Sequence, residues 1–350
     1  MRFFCTVLLS AGMAASLLAE TALTHAQEKF AVELAAKVAN LEKQNAAAGP
    51  GVEGWLFFAA ELRLLSLGRF WGDDARRVSR AHKPELADPV PAIIDFQQQL
   101  KARGIALLVV PVPPKAAVYP EKIVPDFDVR TTDPAPVLHR FYDELRGAGV
   151  DVLDLSALFI QNRDNPRGSV FCRTDSHWSG IGCVLAAQAI AQKVRPKLSG
   201  PAAAREYAGD WKEVQISGDL ARLLPTDAHK PGPEKIAVQG VSEKKTGAAI
   251  EPDANSPLLL LGDSHTLVFH DSEFFPERAG LVEQLTLQLG FAPDLIGTSG
   301  SGATPVRLNL YHRSLKDADY LAKKKIVVWC FGAREFTEAT EGWAKRPVAK

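Results

Sequence analysis

Excess charge is missing from this chain: 41 Lys and Arg balance 41 Asp and Glu over 350 residues. That balance argues against a nucleic-acid binder, which carries a basic excess, and against an acidic solvating chain. Cysteine is scarce, four in all. No CxxC occurs and no Cys/His spacing suits zinc, so no metal or other cofactor is expected. Cys5 lies in the N-terminal segment. Cys172, Cys183 and Cys330 remain, and Cys172 and Cys183 either pair in an oxidising compartment or stay as buried thiols. Long apolar runs are absent beyond the N-terminus, so no membrane span is expected in the mature chain. No internal repeat is present. The glycine-rich stretch Gly297-Thr298-Ser299-Gly300-Ser301-Gly302 lacks the lysine of a phosphate-binding loop, which disfavours a nucleotide ligand.

What is present is enough for a sizeable core, with 46% apolar and 23% charged residues. Arg2 precedes the apolar run FFCTVLLSAGMAASLL, and Thr24-His25-Ala26 offers a small-x-small pattern. Residues 1–26 read as a secretory signal cleaved after Ala26, with an uncleaved anchor as the alternative. The mature chain is then exported, to the periplasm in a Gram-negative source. Residues 27–50 are expected to form an N-terminal helix. Within it, 28–48 has the period of one amphipathic helix, with Phe30, Leu34, Val38 and Leu41 on one face and Gly49-Pro50 as its stop.

From residue 90 onward, helical patterns alternate with short, continuously apolar strands. The helices are expected over 93–101, 136–147, 179–194, 277–289 and 313–324. The strands are expected over 105–110, 150–155, 258–261, 294–296 and 326–331. This alternation predicts an α/β three-layer sandwich with a mostly parallel central sheet, covered on both faces. The stretch 196–257, rich in Pro, Gly, Ala and charge, reads as an insertion in a domain spanning 51–345.

Ligands bind at the carboxyl ends of such strands, which singles out four segments. They are the run ending at Lys115, Gly262-Asp263-Ser264-His265, Gly297 to Gly302, and Gly332-Ala333-Arg334-Glu335. Ser264 sits where a buried strand meets a helix start. Its hydroxyl is then exposed at the sheet edge, near backbone N–H groups able to hold an oxyanion; the plainer alternative is a helix cap at Asp263 or Ser264. A serine nucleophile needs a base. His177 in Thr174-Asp175-Ser176-His177-Trp178-Ser179 fits, with Asp175 as the orienting carboxylate. His265 ranks below His177 because neighbouring side chains diverge. Gly262, His265, Gly300 and Gly302 are candidate oxyanion or substrate-binding positions. Arg307 and Asn309 lie downstream, and Arg334 is placed to pair with an acidic sugar or a structural carboxylate.

The segments Asp175-Ser176-His177-Trp178 and Gly262-Asp263-Ser264-His265 together resemble the SGNH-hydrolase-like domain of the alginate O-acetyltransferases, of the AlgX/AlgJ type. Further matches are Gly51 to Phe57, Glu61-Leu62-Arg63, Pro111-Val112-Pro113-Pro114-Lys115 with Tyr119-Pro120, and Trp329 through Glu335. As in that family, Asp-x-His precedes the serine. The resemblance implies Ser264 as nucleophile, His177 as base and Asp175 as its orienter, and it adds Lys115 and Tyr119 as site candidates. It implies acetyl transfer through an acetyl-serine to a polysaccharide hydroxyl, with the donor supplied by a membrane-bound O-acyltransferase. An acetylesterase with the same triad and a non-catalytic polysaccharide-binding export component remain as alternatives. Gly-Asp-Ser-His stands where the family carries a Gly-Thr-Ser-Tyr-like segment, and the familiar oxyanion asparagine block is not evident.

Overall fold

A computed structural model describes residues 24–198, 205–275 and 277–350. The apolar run expected to be a signal lies outside these residues. Helix α1 spans His25–Lys43 and opens on a capping box, in which Thr24 and Gln27 satisfy each other's backbone N–H groups. That box straddles the expected cleavage point after Ala26. Phe30, Leu34, Val38 and Leu41 are buried, so the apolar face packs on the domain as its period predicts. The helix stops five residues short of the expected 48. Ala48–Pro50 is instead strand β1, paired antiparallel with β2 (Leu56–Phe58), because the intervening Gly-rich turn lets the chain double back.

Beyond α2 (Ala59–Ser66) and α3 (Val90–Lys101) comes the first strand of the main sheet, β3 (Ala106–Val112). Helix α4 (Pro136–Gly147) leads to the short β4 (Asp151–Val152), and α5 (Gly180–Val194) follows. The expected insertion is an antiparallel hairpin of β5 (Tyr207–Ile216) and β6 (Glu234–Glu243). Strand β7 (Leu258–Gly262), helix α6 (Leu281–Leu289), β8 (Asp294–Gly297), α7 (Thr304–Lys316) and β9 (Ile326–Gly332) complete the fold.

The main sheet has five strands in the order β4-β3-β9-β7-β8, and every pairing is parallel. Every residue of β7 and β9 is buried, as a sheet covered on both faces requires. Two helices depart from the sequence reading. The one expected over 277–289 starts only at Leu281, and the one expected over 313–324 runs from Thr304 to Lys316. In the second case Pro305 at the first turn sets the start. Cys172, Cys183 and Cys330 are all free and buried, so the Cys172–Cys183 disulfide does not form.

Candidate active site

The carboxyl ends of β3, β7, β8 and β9 converge, as the topological argument requires. Thr298 N–H donates to Gly262 O, Ala333 N–H to Val112 O, and Gly332 N–H to Asp263 Oδ2 at 2.8 Å. Gly262 is the one residue type that fits at the end of β7: a Cβ there would lie 1.9 Å from Cys330 O. Just beyond it, Ser264 opens a 3₁₀ turn, Ser264–Thr266, capped by the Asp263 side chain accepting from His265 N–H. The cap falls to Asp263, which leaves the Ser264 hydroxyl free for chemistry; Ser264 is buried rather than exposed at the sheet edge, because the His177 turn covers it.

The Asp-x-His segment reaches Ser264 from outside the sheet. Phe171 and Trp178 form an isolated antiparallel bridge, and Cys172 N–H donates to His177 O. The chain between them is a tight turn, and the fully buried Trp178 anchors its exit. Ser179 then caps α5 through the N–H groups of Ile181 and Gly182. This turn brings His177 Nε2 to 2.7 Å from Ser264 Oγ. On the other side of the ring, His177 Nδ1 lies 2.6 Å from Asp175 Oδ1. Asp175 also accepts from His177 N–H, so the carboxylate holds both the backbone and the ring of the same residue. With Nδ1–H donated to Asp175, Nε2 is the acceptor for the serine hydroxyl. The three residues are 7%, 5% and 2% exposed, so this chain of bonds runs in a largely water-excluded setting.

Electrostatics follow from burial and neighbours. Burial alone would lift the Asp175 carboxyl, but His177 and the N–H groups of Asp219 and His177 outweigh it and hold it far below the usual carboxylate range. Burial would lower His177, yet the charges of Asp175, Asp219 and Asp263 raise it above its ordinary value. His265 goes the other way: burial lowers it, and Asp263 only partly offsets this. Its ring turns from Ser264 toward Asp263 (Nδ1–Oδ1 3.1 Å) and meets His177 edge-on.

Other sequence candidates separate into neighbours of the site and interior residues. Arg334 is a neighbour, with its guanidinium 3.9 Å from both Asp263 and Glu335 and stacked on Phe58. Gly300, at φ +90°, sits in a groove with Ser299, Ser301 and Glu335. Gly302 serves close packing, since a Cβ would lie 2.4 Å from that of Phe331. Asn309 reaches Thr298 Oγ1. Three candidates are corrections. Lys115 is fully buried and donates to the carbonyls of Leu56, Arg173 and Asp175, so it braces the Asp-x-His turn from beneath. Tyr119 donates to Arg163 O, accepts from Val170 N–H and packs on Trp55, all in the core. Arg307 lies among the rings of Phe96, Trp329 and Trp343, where burial lowers its pKa to about 10.

The sequence reading missed Asp219. It lies in a 3₁₀ turn between β5 and β6, Asp219–Arg222, and touches both Asp175 and Ser176. Ligand atoms of Asp175, His177 and Asp219 fall within 4.8 Å of one another. Both oxygens of Asp175 and Nδ1 of His177 are already engaged in the bonds described. Phe274, edge-on to His177 at 6.1 Å, was also missed, and no motif marks it.

The family described as the SGNH hydrolase-like domain of the acetyltransferase AlgX matches residues 49–331. The chain belongs to this AlgX family. Among curated relatives, the probable alginate O-acetylase AlgJ of Pseudomonas aeruginosa is 28% identical over 231 residues, covering 62% of this chain and 54% of that protein. The AlgJ of Pseudomonas putida is 29% identical over 282 residues, covering 77% and 69%. The chain thus spans about half the length of the first of these relatives. Of solved structures, the O-acetyltransferase domain of Pseudomonas putida AlgJ aligns with a TM-score of 0.62 at 23% identity, covering 83% of this chain and 92% of that one. That likeness establishes the AlgX-type α/β fold. No helix among the described residues is long and apolar enough to cross a membrane.

Proposed function

We propose that this chain is an exported O-acetyltransferase acting on an extracytoplasmic polysaccharide, alginate-like or another exopolysaccharide. The observation that carries the reading is the hydrogen-bonded series Ser264–His177–Asp175. The alginate O-acetylase names of the relatives favour the acetyl group and a polysaccharide acceptor. In the first half-reaction Ser264 Oγ attacks the donor's acetyl carbon while its proton passes to His177 Nε2. The tetrahedral intermediate collapses, the leaving group takes that proton, and acetyl-Ser264 remains. In the second, a sugar hydroxyl gives its proton to His177 and attacks the acetyl carbon. The ester leaves on the sugar, and the proton returns to Ser264. Asp175 stays ionised and stabilises the imidazolium in both halves.

The domain scheme belongs to the same proposal: a signal at 1–26, an N-terminal segment at 27–50 and a catalytic domain at 51–345 carrying the insertion 196–257. The chain works in the periplasm, and a membrane-bound O-acyltransferase supplies the acetyl group. The test uses purified protein, p-nitrophenyl acetate as donor, and oligosaccharide acceptors with and without uronate groups. Acetylated sugar that depends on Ser264 and His177 is the expected product. Acetate release that ignores the acceptor would make the protein an esterase. Activity unchanged in Ser264→Ala would leave a non-catalytic polysaccharide binder.

A further inference from the structure

We propose that Asp219, contributed by the insertion, is a fourth member of the catalytic array: a positioning residue that fixes the Asp175–His177 turn and tunes the base through it. The inference rests on the acyl-transfer reading above. It starts from a division of labour on Asp175. Oδ1 serves His177, while Oδ2 accepts from Asp219 N–H at 2.9 Å. The second bond stops the carboxylate from rotating, which keeps Oδ1 in the plane of the imidazole. The Asp219 carboxylate meanwhile holds the residue between the two triad members. Oδ1 accepts from Ser176 N–H at 2.7 Å and Oδ2 from the Ser176 hydroxyl at 2.6 Å. Leu220 N–H adds a bond to Thr174 O. Four bonds therefore join two consecutive residues of the insertion to three residues of the Asp-x-His turn.

The clamp itself is held in place. Leu220 is fully buried in a small apolar cluster with Ala48, Leu56 and Leu224, which ties the 3₁₀ turn to the β1–β2 ribbon. Gly218 lets the turn approach: a Cβ there would lie 2.1 Å from Thr174 O. The four bonds all end on residues 174 to 176. They converge on one loop, and that loop carries the base. The charge matters as well as the bonds. Asp219 is one of three carboxylates, with Asp175 and Asp263, that favour protonated His177. His265 and Glu61 also face this ring electrostatically, and Arg334 lies within reach of Asp219. Of the three carboxylates, Asp219 alone is neither a triad member nor part of the nucleophile's own turn.

The test compares Asp219→Asn and Asp219→Ala in the full-length protein, using kcat, KM and the pH dependence of kcat/KM, with Ser264→Ala as reference. Asp219→Ala removes the two carboxylate bonds to Ser176 and keeps the backbone N–H bond to Asp175; the loosened turn lets the base move by an ångström or less, a displacement able to cost about 10²-fold in rate. Asp219→Ala is expected to lose about that much in kcat with KM within about threefold of wild type. Asparagine can still accept from Ser176 N–H, so Asp219→Asn should recover most of the rate. Without the negative charge, however, the acid limb of its kcat/KM profile should move to lower pH. A merely structural residue would not move that limb. Should Asp219→Ala fail to fold, the Asn variant decides alone. A wild-type limb in Asp219→Asn, or a loss confined to KM, would overturn the proposal while Ser264→Ala still abolished transfer. Ser264→Ala retaining full activity would instead sink the acyl-transfer reading itself.

Discussion

In the proposed reaction His177 must be neutral to accept the serine proton, and its surroundings favour the opposite state. Three carboxylates outweigh burial and lift its pKa above the ordinary value of about 6.5. Activity should therefore rise with pH along a limb that reports the free enzyme's base, with an apparent pKa above about 6.5. A kcat/KM profile whose acid limb falls below pH 6 would contradict that assignment. Lys115 teaches a different lesson at the same scale. Its position after β3 was readable as the carboxyl edge of a sheet, but its direction was not. The side chain turns inward, where burial lowers its pKa and Glu61 accepts from its backbone N–H. Replacing it with methionine keeps the volume but strips three carbonyls of their donor and leaves Glu61 buried beside the remaining Arg334 charge. The expected loss is about 3–5 kcal/mol by denaturant unfolding. A loss below about 1 kcal/mol would show that the ammonium does little for the three carbonyls.

Elements built on one strong local signal were legible. The runs Leu258 to Leu261 and Ile326 to Phe331 are continuously apolar because both faces of their strands are covered, and they were found within a residue or two. Elements whose limits depend on turn chemistry were read less well. Asn45, in the left-handed region at φ +52°, ends the helix through Ala46 N–H to Leu41 O and Asn45 N–H to Glu42 O, a stop that the sequence reading passed over in favour of Gly49-Pro50. The hairpin β5–β6 alternates weakly between half-buried and exposed positions, so its strands looked like irregular chain. That hairpin presents the turn at Asp219, and the element has its own test in Gly218→Ala. The added methyl must displace either the turn or Thr174, both backbone. A stability loss of about 1–3 kcal/mol is expected from overpacking. A fall in kcat of at least about tenfold should accompany it, because the displaced segment adjoins Asp175. Wild-type kcat at reduced stability would mean that the turn can shift without carrying the triad loop.

Across the whole molecule, the site joins three stretches far apart in sequence, 173–177, 219–220 and 262–265, and pattern alone cannot show that they meet. Two were recoverable because serine and histidine chemistry each imply a partner; an aspartate inside a polar insertion implies nothing. The convergence also gathers buried acids of opposite behaviour, and their sum sets how stability varies with pH. Asp175 and Asp263 have depressed pKa values, so their contribution is present above the unfolded carboxylate range and fades as the pH falls through it. Glu335 acts in reverse. Burial lifts it from 4.5 to about 7, against the opposing pull of Arg334 and Ser301. Between those two values the folded protein holds a proton that the unfolded chain has lost, so stability falls as pH rises through that window. A shift of this size corresponds to about 3 kcal/mol. Glutamine at 335 can still accept from Ser301 but has no proton to lose. Glu335→Gln should therefore lose less stability than wild type between pH 5 and pH 8, by up to about 3 kcal/mol in paired denaturant titrations. Parallel pH dependence in the two proteins would place the Glu335 titration back in the ordinary range, with its carboxylate charged in the folded state at pH 5.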